Sequence, residues 1–134
     1  MIPMRAVRAG RGPSREERGS VSVAAVGVMV VTIILALGSA DVARALAAVS
    51  RAQTAADAAA LAAVQEMASP SGSETPEQAA SDYASRNGGA LASCSCEPDQ
   101  QEAVVSVHLA VGGFLLFGGD RVVTARARAV VDPR

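Results

Sequence analysis

The chain contains no lysine and no tryptophan, and it has one histidine, one tyrosine and two phenylalanines. Each scarcity removes a class of function. With His108 as the sole histidine, neither a His-pair metal site nor a His-based proton relay can be built from these side chains. Without lysine, the glycine-bracketed GGFLLFGG (Gly112–Gly119) lacks the Lys of a phosphate-binding loop, and the Ser or Thr that follows it there is missing too. All twelve basic residues are Arg, a pattern that reads as codon bias in a GC-rich genome. They do not cluster with the few aromatics, so no nucleic-acid surface is indicated. Two cysteines are too few for a structural zinc site, and CSC (Cys94–Cys96) is not the C-x-x-C redox motif. Ser and Asp are plentiful, but none stands in a nucleophile context. The expectation is a chain that is not an enzyme and takes no cofactor, metal or small-molecule substrate.

What is present is strongly segregated. Residues 1–18 carry five Arg and two Glu, a net of +3, whereas residues 41–134 carry seven Arg and eleven acidic residues, a net of −4. Between them, Gly19 to Ala40 is 22 residues without a charge. At about 1.5 Å per residue a helix of that length covers roughly 33 Å, enough for a bilayer core of about 30 Å. Arg5, Arg8, Arg11, Arg15 and Arg18 precede the run, so the positive-inside rule puts the N-terminus in the cytoplasm and residues 41–134 outside. The run has three readings: a buried core helix, a cleaved signal peptide, or a permanent stem. A chain of 134 residues cannot surround a core helix of this kind. A signal peptide fits the basic start and the small residues of GSA before Asp41, which would release a small secreted binding domain near Ala40. Against it, the run exceeds the usual h-region of roughly 7–15 residues, and the helical pattern continues beyond the cut.

Residues 41–68 contain neither Gly nor Pro and are close to half Ala, the best helix former. Joined to the apolar run, the helix is expected to span Ser20 to Ala68. Val42, Leu46, Val49, Gln53, Ala56, Ala60, Ala63 and Met67 alternate by four and three, marking a narrow stripe for close packing. That stripe serves lateral contact with like subunits, or the chain's own head folded on the outer half. SPSGSE (Ser69–Glu74) ends the helix as a polar loop. Thr75, Pro76 and Gln78 form an N-cap, a first-turn proline and a capping box for a short helix Pro76–Asn87 closed by Gly88 and Gly89.

From Ala90 the period changes to two. Val105, Val107, Leu109 and Val111 share one face, with Ser106 and His108 on the other. Val123, Ala125, Ala127, Ala129 and Val131 share a face opposite Thr124, Arg126 and Arg128. With a strand near Ala90–Cys96 these give a three-stranded antiparallel sheet. The fold expected is α+β, organised as a basic leader (1–18), an apolar span (19–40), a helical continuation (41–68) and a small head (69–134). So small a head needs the long helix, or a partner, to complete its core. Cys94 and Cys96 are candidates for a disulfide in an oxidising compartment, with intersubunit bonds or free thiols as the alternatives. In GGFLLFGG, Phe114, Leu115, Leu116 and Phe117 either fold under the helix or offer an apolar patch to a neighbouring subunit or the outer leaflet.

A leader, an apolar helix, an Ala-rich continuation and a small sheet make a pilin-like architecture. On ERGSVSV (Glu17–Val23), SRAQTAADAAALAAV (Ser50–Val64), YASRNGGALASC (Tyr83–Cys94) and VVTARARAVV (Val122–Val131), the chain resembles the TadE/TadG-like proteins of tight-adherence (Flp) pilus systems. It looks closest to the short actinobacterial members. The resemblance implies prepilin-type processing after Gly19, with Ser20 as the new N-terminus. Such pilins usually carry a Glu at the fifth mature position, which here is Ala24. A buried Glu there would neutralise the amine of an adjacent subunit. Short members also often carry a cysteine in the helix before the sheet, which this chain lacks. The resemblance implies a minor pilin-like or accessory structural subunit of a Tad-type pilus or secretion machine. Its partners would be the membrane and other pilin-like subunits or secretion-platform proteins.

Overall fold

The computed structural model describes residues 15–69 and 73–132, and for residues 15–20 the backbone alone. Residues 1–14 of the basic leader, the middle of the polar loop at 70–72, and residues 133–134 lie outside the described residues. The order is α1 (Arg15–Ala68), α2 (Pro76–Arg86), β1 (Ala90–Ser95), β2 (Glu102–Val111) and β3 (Arg121–Val130). The fold is α+β: a long helix, a short one and a three-stranded antiparallel sheet in the order β1-β2-β3. The long helix starts at Arg15, five residues before the expected Ser20, and ends at Ala68. Gly19 and Ser20 therefore sit in its first turns.

The chain divides into two compact units, residues 1–37 and 38–134. In the first, all the side chains of residues 21–36 are exposed, Val21 by 70% and Val23 by 74%. This stretch carries no charge, and a helix that is apolar all round has no face suited to water. The described part of the helix, Val21–Ala68, carries an unburied stretch of 18 residues with a mean hydropathy of 2.6, and is long and apolar enough to cross a membrane. Thr32 returns its hydroxyl to the Val28 carbonyl at 2.8 Å, so its polar group is satisfied inside the helix.

The second unit includes the C-terminal part of the same helix, residues 38–68. Its core joins Ala48, Ala52, Ala55, Ala56, Ala59, Ala60 and Ala63 of α1 to Ala80 and Ala84 of α2 and to the inner face of the sheet. Twelve of the fifteen buried residues in this cluster are Ala, so helix and sheet can approach closely but each contact buries little apolar area. The sheet alternates largely as its sequence does: Ala103, Val105, Val107 and Leu109 are buried, and His108 is exposed. Ser106, on the outer face, is buried as well, and its neighbours across the two ladders are Ser93 and Arg126. On β3, Ala125 and Ala127 are buried between exposed Thr124, Arg126 and Arg128.

The expected helical stripe divides into a buried part and an exposed part. Ala56, Ala60 and Ala63 are buried, but Val42, Leu46 and Val49 are 58%, 67% and 54% exposed. The buried face of the helix takes in Ala48, Ala52, Ala55 and Ala59 beside Ala56, Ala60 and Ala63. The physical reason is space: only methyl side chains let the sheet come this near, so the branched residues turn outward. Gln53 is exposed as well, and its amide donates to the Arg126 carbonyl of β3 at 3.2 Å.

The capping box of α2 forms in both directions. The Gln78 backbone N–H donates to Thr75 Oγ1 at 3.2 Å, and the Thr75 N–H donates to Gln78 Oε1 at 2.9 Å. The helix ends at Arg86, with Asn87 as its C-cap. Gly89 then passes between layers: a Cβ there would overlap Val107 and stand 3.3 Å from the Ala55 methyl. Gly89→Ala is expected to destabilise the unit by about 1–3 kcal/mol through overpacking. A chemical-denaturation midpoint unchanged from wild type would refute that.

β1 contains an irregularity that alternation alone does not foresee. Leu91 pairs with Val107 and Cys94 with Val105, with the register shifting between Leu91 and Ser93. A bulge of this kind reverses the side-chain phase, so Leu91 and Cys94 both pack against the core although they are three residues apart. The sulfurs of Cys94 and Cys96 are joined, with their Cα atoms 5.4 Å apart.

Candidate functional site

The most unusual side chain in the second unit is Asp41, which is 1% exposed. It is the first charged residue after the apolar run, and it lies on α1. A buried carboxylate is costly unless hydrogen bonds replace its water. Here they come from the loop between β2 and β3. The Leu115 N–H donates to Asp41 Oδ1 and the Leu116 N–H to Oδ2, both at 2.8 Å. Arg44, one turn on, adds a contact of 3.3 Å to Oδ1.

The loop is shaped for this contact. Gly113 and Gly119, both at φ 79°, take a left-handed conformation that a side chain would resist, so the chain turns sharply on either side of FLLF. The turn points two successive backbone N–H groups at one carboxylate, a small anion-binding nest. These bonds, first from Leu115 and then from Leu116, hold the Asp41 carboxyl below the usual aspartate range. The Phe117 N–H and Arg44 act in the same direction, and burial opposes them. Asp41 is therefore a clasp: it fastens the loop to α1 and stays charged while doing so.

The sequence-predicted loop residues divide around this clasp. Phe114 is half-buried and lines a cleft of about 230 Å³ together with Asp41, Val42, Ala45, Phe117 and Arg121. Leu115, Leu116 and Phe117 are exposed by 52%, 41% and 69%. Leu116 nevertheless reaches back along the helix, with its Cδ1 3.6 Å from where a Cβ on Gly38 would stand. His108 lies elsewhere, on the outer face of the sheet, where Nδ1 meets Thr124 Oγ1 at 2.9 Å across the paired strands. Cys94 and Cys96 border a separate surface cleft with Thr75, Pro76 and Glu77. Gly19 and Ser20 are described by their backbone alone, as part of α1, and the contacts of Ser20's side chain lie outside the described residues. Sequence reasoning misses Asp41 as a structural residue. Its only advance signals are its place directly after the run and a glycine-bracketed loop whose amides need acceptors.

Comparison with known proteins bears on the helix. Residues 19–66 match the model of a family described as "Putative Flp pilus-assembly TadE/G-like". The match takes in the apolar run, Asp41 and the Ala-rich row under the sheet. It stops before α2, so Tyr83–Cys94 and Val122–Val131, two of the four stretches that resemble TadE/TadG-like proteins, fall outside it. No curated protein and no solved structure matches the chain.

Proposed function

We propose, with the TadE/G-like match over residues 19–66 as the premise, that the chain is a membrane-anchored structural subunit of a Tad/Flp-type pilus assembly or secretion system. It acts as a minor pilin-like or accessory component and performs no catalysis. Its N-terminus lies in the cytoplasm, residues 19–40 cross the membrane, and the sheet-bearing unit stands outside. The observation that carries this reading is the helix at 21–36, uncharged and exposed on every side. Its partners are other pilin-like subunits or secretion-platform proteins, and the exposed Val42, Leu46 and Val49 give them an apolar helix face to meet.

A second reading, a small binding domain secreted after cleavage near Ala40, draws on the small residues of GSA before Asp41. What weighs against it is that the compact outer unit begins at Gly38, before the cut. Cleavage after Ala40 would also remove Gly38, which lies near the Leu116 side chain. Mass spectrometry of the mature N-terminus separates these outcomes. Met1 or Ser20 is expected, and Asp41 would mark a secreted domain. Mild crosslinking in membranes should then co-purify a pilin or a secretion-platform protein. Repeated recovery of the chain alone would count against a role in the assembly.

A further inference from the structure

We propose that the loop tip Leu115–Phe117 is a second membrane contact, seated in the outer phospholipid leaflet. The inference rests on the membrane reading above and goes beyond it, since a span alone requires no lipid contact from the head.

Three observations carry it. The first is position. Asp41 holds the tip at the residue where the uncharged run has just ended, and Leu116 reaches Gly38, inside the last turn of that run. The tip is thus fixed at the level where hydrocarbon gives way to headgroups. The second is composition: three consecutive exposed apolar side chains lie together, with Phe117 the most exposed. The third is the state of the backbone. A loop entering a region poor in water leaves its N–H groups without partners, which is costly. Here the Leu115 and Leu116 N–H groups are already taken up by the Asp41 carboxylate. The clasp thereby lets an irregular segment meet lipid with those two donors satisfied. Arg121 borders the same apolar cleft and is placed to meet a lipid phosphate at its rim.

The absence of tryptophan supplies the test. Full-length Phe117→Trp and Tyr83→Trp variants each carry one tryptophan and are reconstituted in phosphatidylcholine–phosphatidylglycerol vesicles. Tyr83 is the control. It sits on α2, whose following Gly89 meets Ala55, about 14 residues and roughly 21 Å along the helix from Asp41. The expected result is blue-shifted emission from F117W that lipids brominated on the acyl chain largely extinguish, with Y83W unaffected. Unquenched F117W in a chain that resists carbonate extraction overturns the lipid contact and leaves the anchor standing. Extraction of the whole chain by carbonate overturns the membrane reading itself. Emission that follows the protein-to-lipid ratio and ignores bromination assigns the tip to a second copy, and also overturns the proposal.

Discussion

Asp41→Ala is expected to release the β2–β3 loop while leaving the sheet paired. The measurement is amide hydrogen exchange. Leu115 and Leu116 should lose protection on the order of tenfold or more, as hydrogen bonds to a charged acceptor disappear. Val105 and Val107, buried in the central strand, should keep theirs. Asp41→Asn retains the shape but offers one acceptor oxygen in place of two, so one of the two amides should stay protected. The effect has a defined pH signature. The carboxyl titrates lower in the folded chain than in the unfolded one. The clasp therefore contributes fully above the ordinary aspartate value of about 3.9, and the contribution is lost as pH falls through the folded value. Acid should open the loop, and the Asn variant should show no such acid dependence. If wild type and Asp41→Asn open alike on acidification, the clasp is not what holds the loop.

The second large effect is expected in the Ala row. Ala55 and Ala59 are fully buried between helix and sheet, and Ala55 also faces Gly89. Ala55→Leu should cost about 1–3 kcal/mol by overpacking. Combined with Ala59→Leu, it should abolish cooperative unfolding, because a core made chiefly of methyl groups has little stability to spare. Val42→Ala, Leu46→Ala and Val49→Ala lie on the exposed side. Each should change stability by no more than about 0.5 kcal/mol. If Leu46→Ala unfolds the chain and Ala55→Leu does not, the assignment of the two faces is reversed. Circular dichroism melts of the four single variants and the double variant decide it.

The same contrast marks where the sequence is readable. Thr75, Pro76 and Gln78 announce α2 through local chemistry, and the structure forms their hydrogen bonds. The strands follow from period-two alternation, and β1 ends within a residue of the expected Ala90–Cys96. The covered face of α1 does not follow. Beyond Ala52, neighbouring rows of the helix are rich in Ala alike, so composition cannot rank them. Before it, the larger Val42, Leu46 and Val49 suggest the side that the sheet leaves open. The bulge in β1 is equally hidden, since ALASCS carries no residue that demands a phase change there. The clasp is least accessible of all. Its partners are 74 and 75 residues apart, and nothing local to Asp41 names the amides it will meet.

The Gln53 bond to β3 also limits how copies of this chain can join. Val131 N–H reaches Gln101 on the β2 side, so by strand alternation the Arg126 carbonyl faces away from β2, along the open margin of the sheet. Open margins invite strand addition and runaway association. Here a helix side chain occupies a carbonyl near the middle of that margin, and Arg126 and Arg128 place charge along the same strand. A fourth strand would have to displace Gln53 and accommodate two guanidinium groups. Sheet extension is therefore disfavoured at the β3 margin.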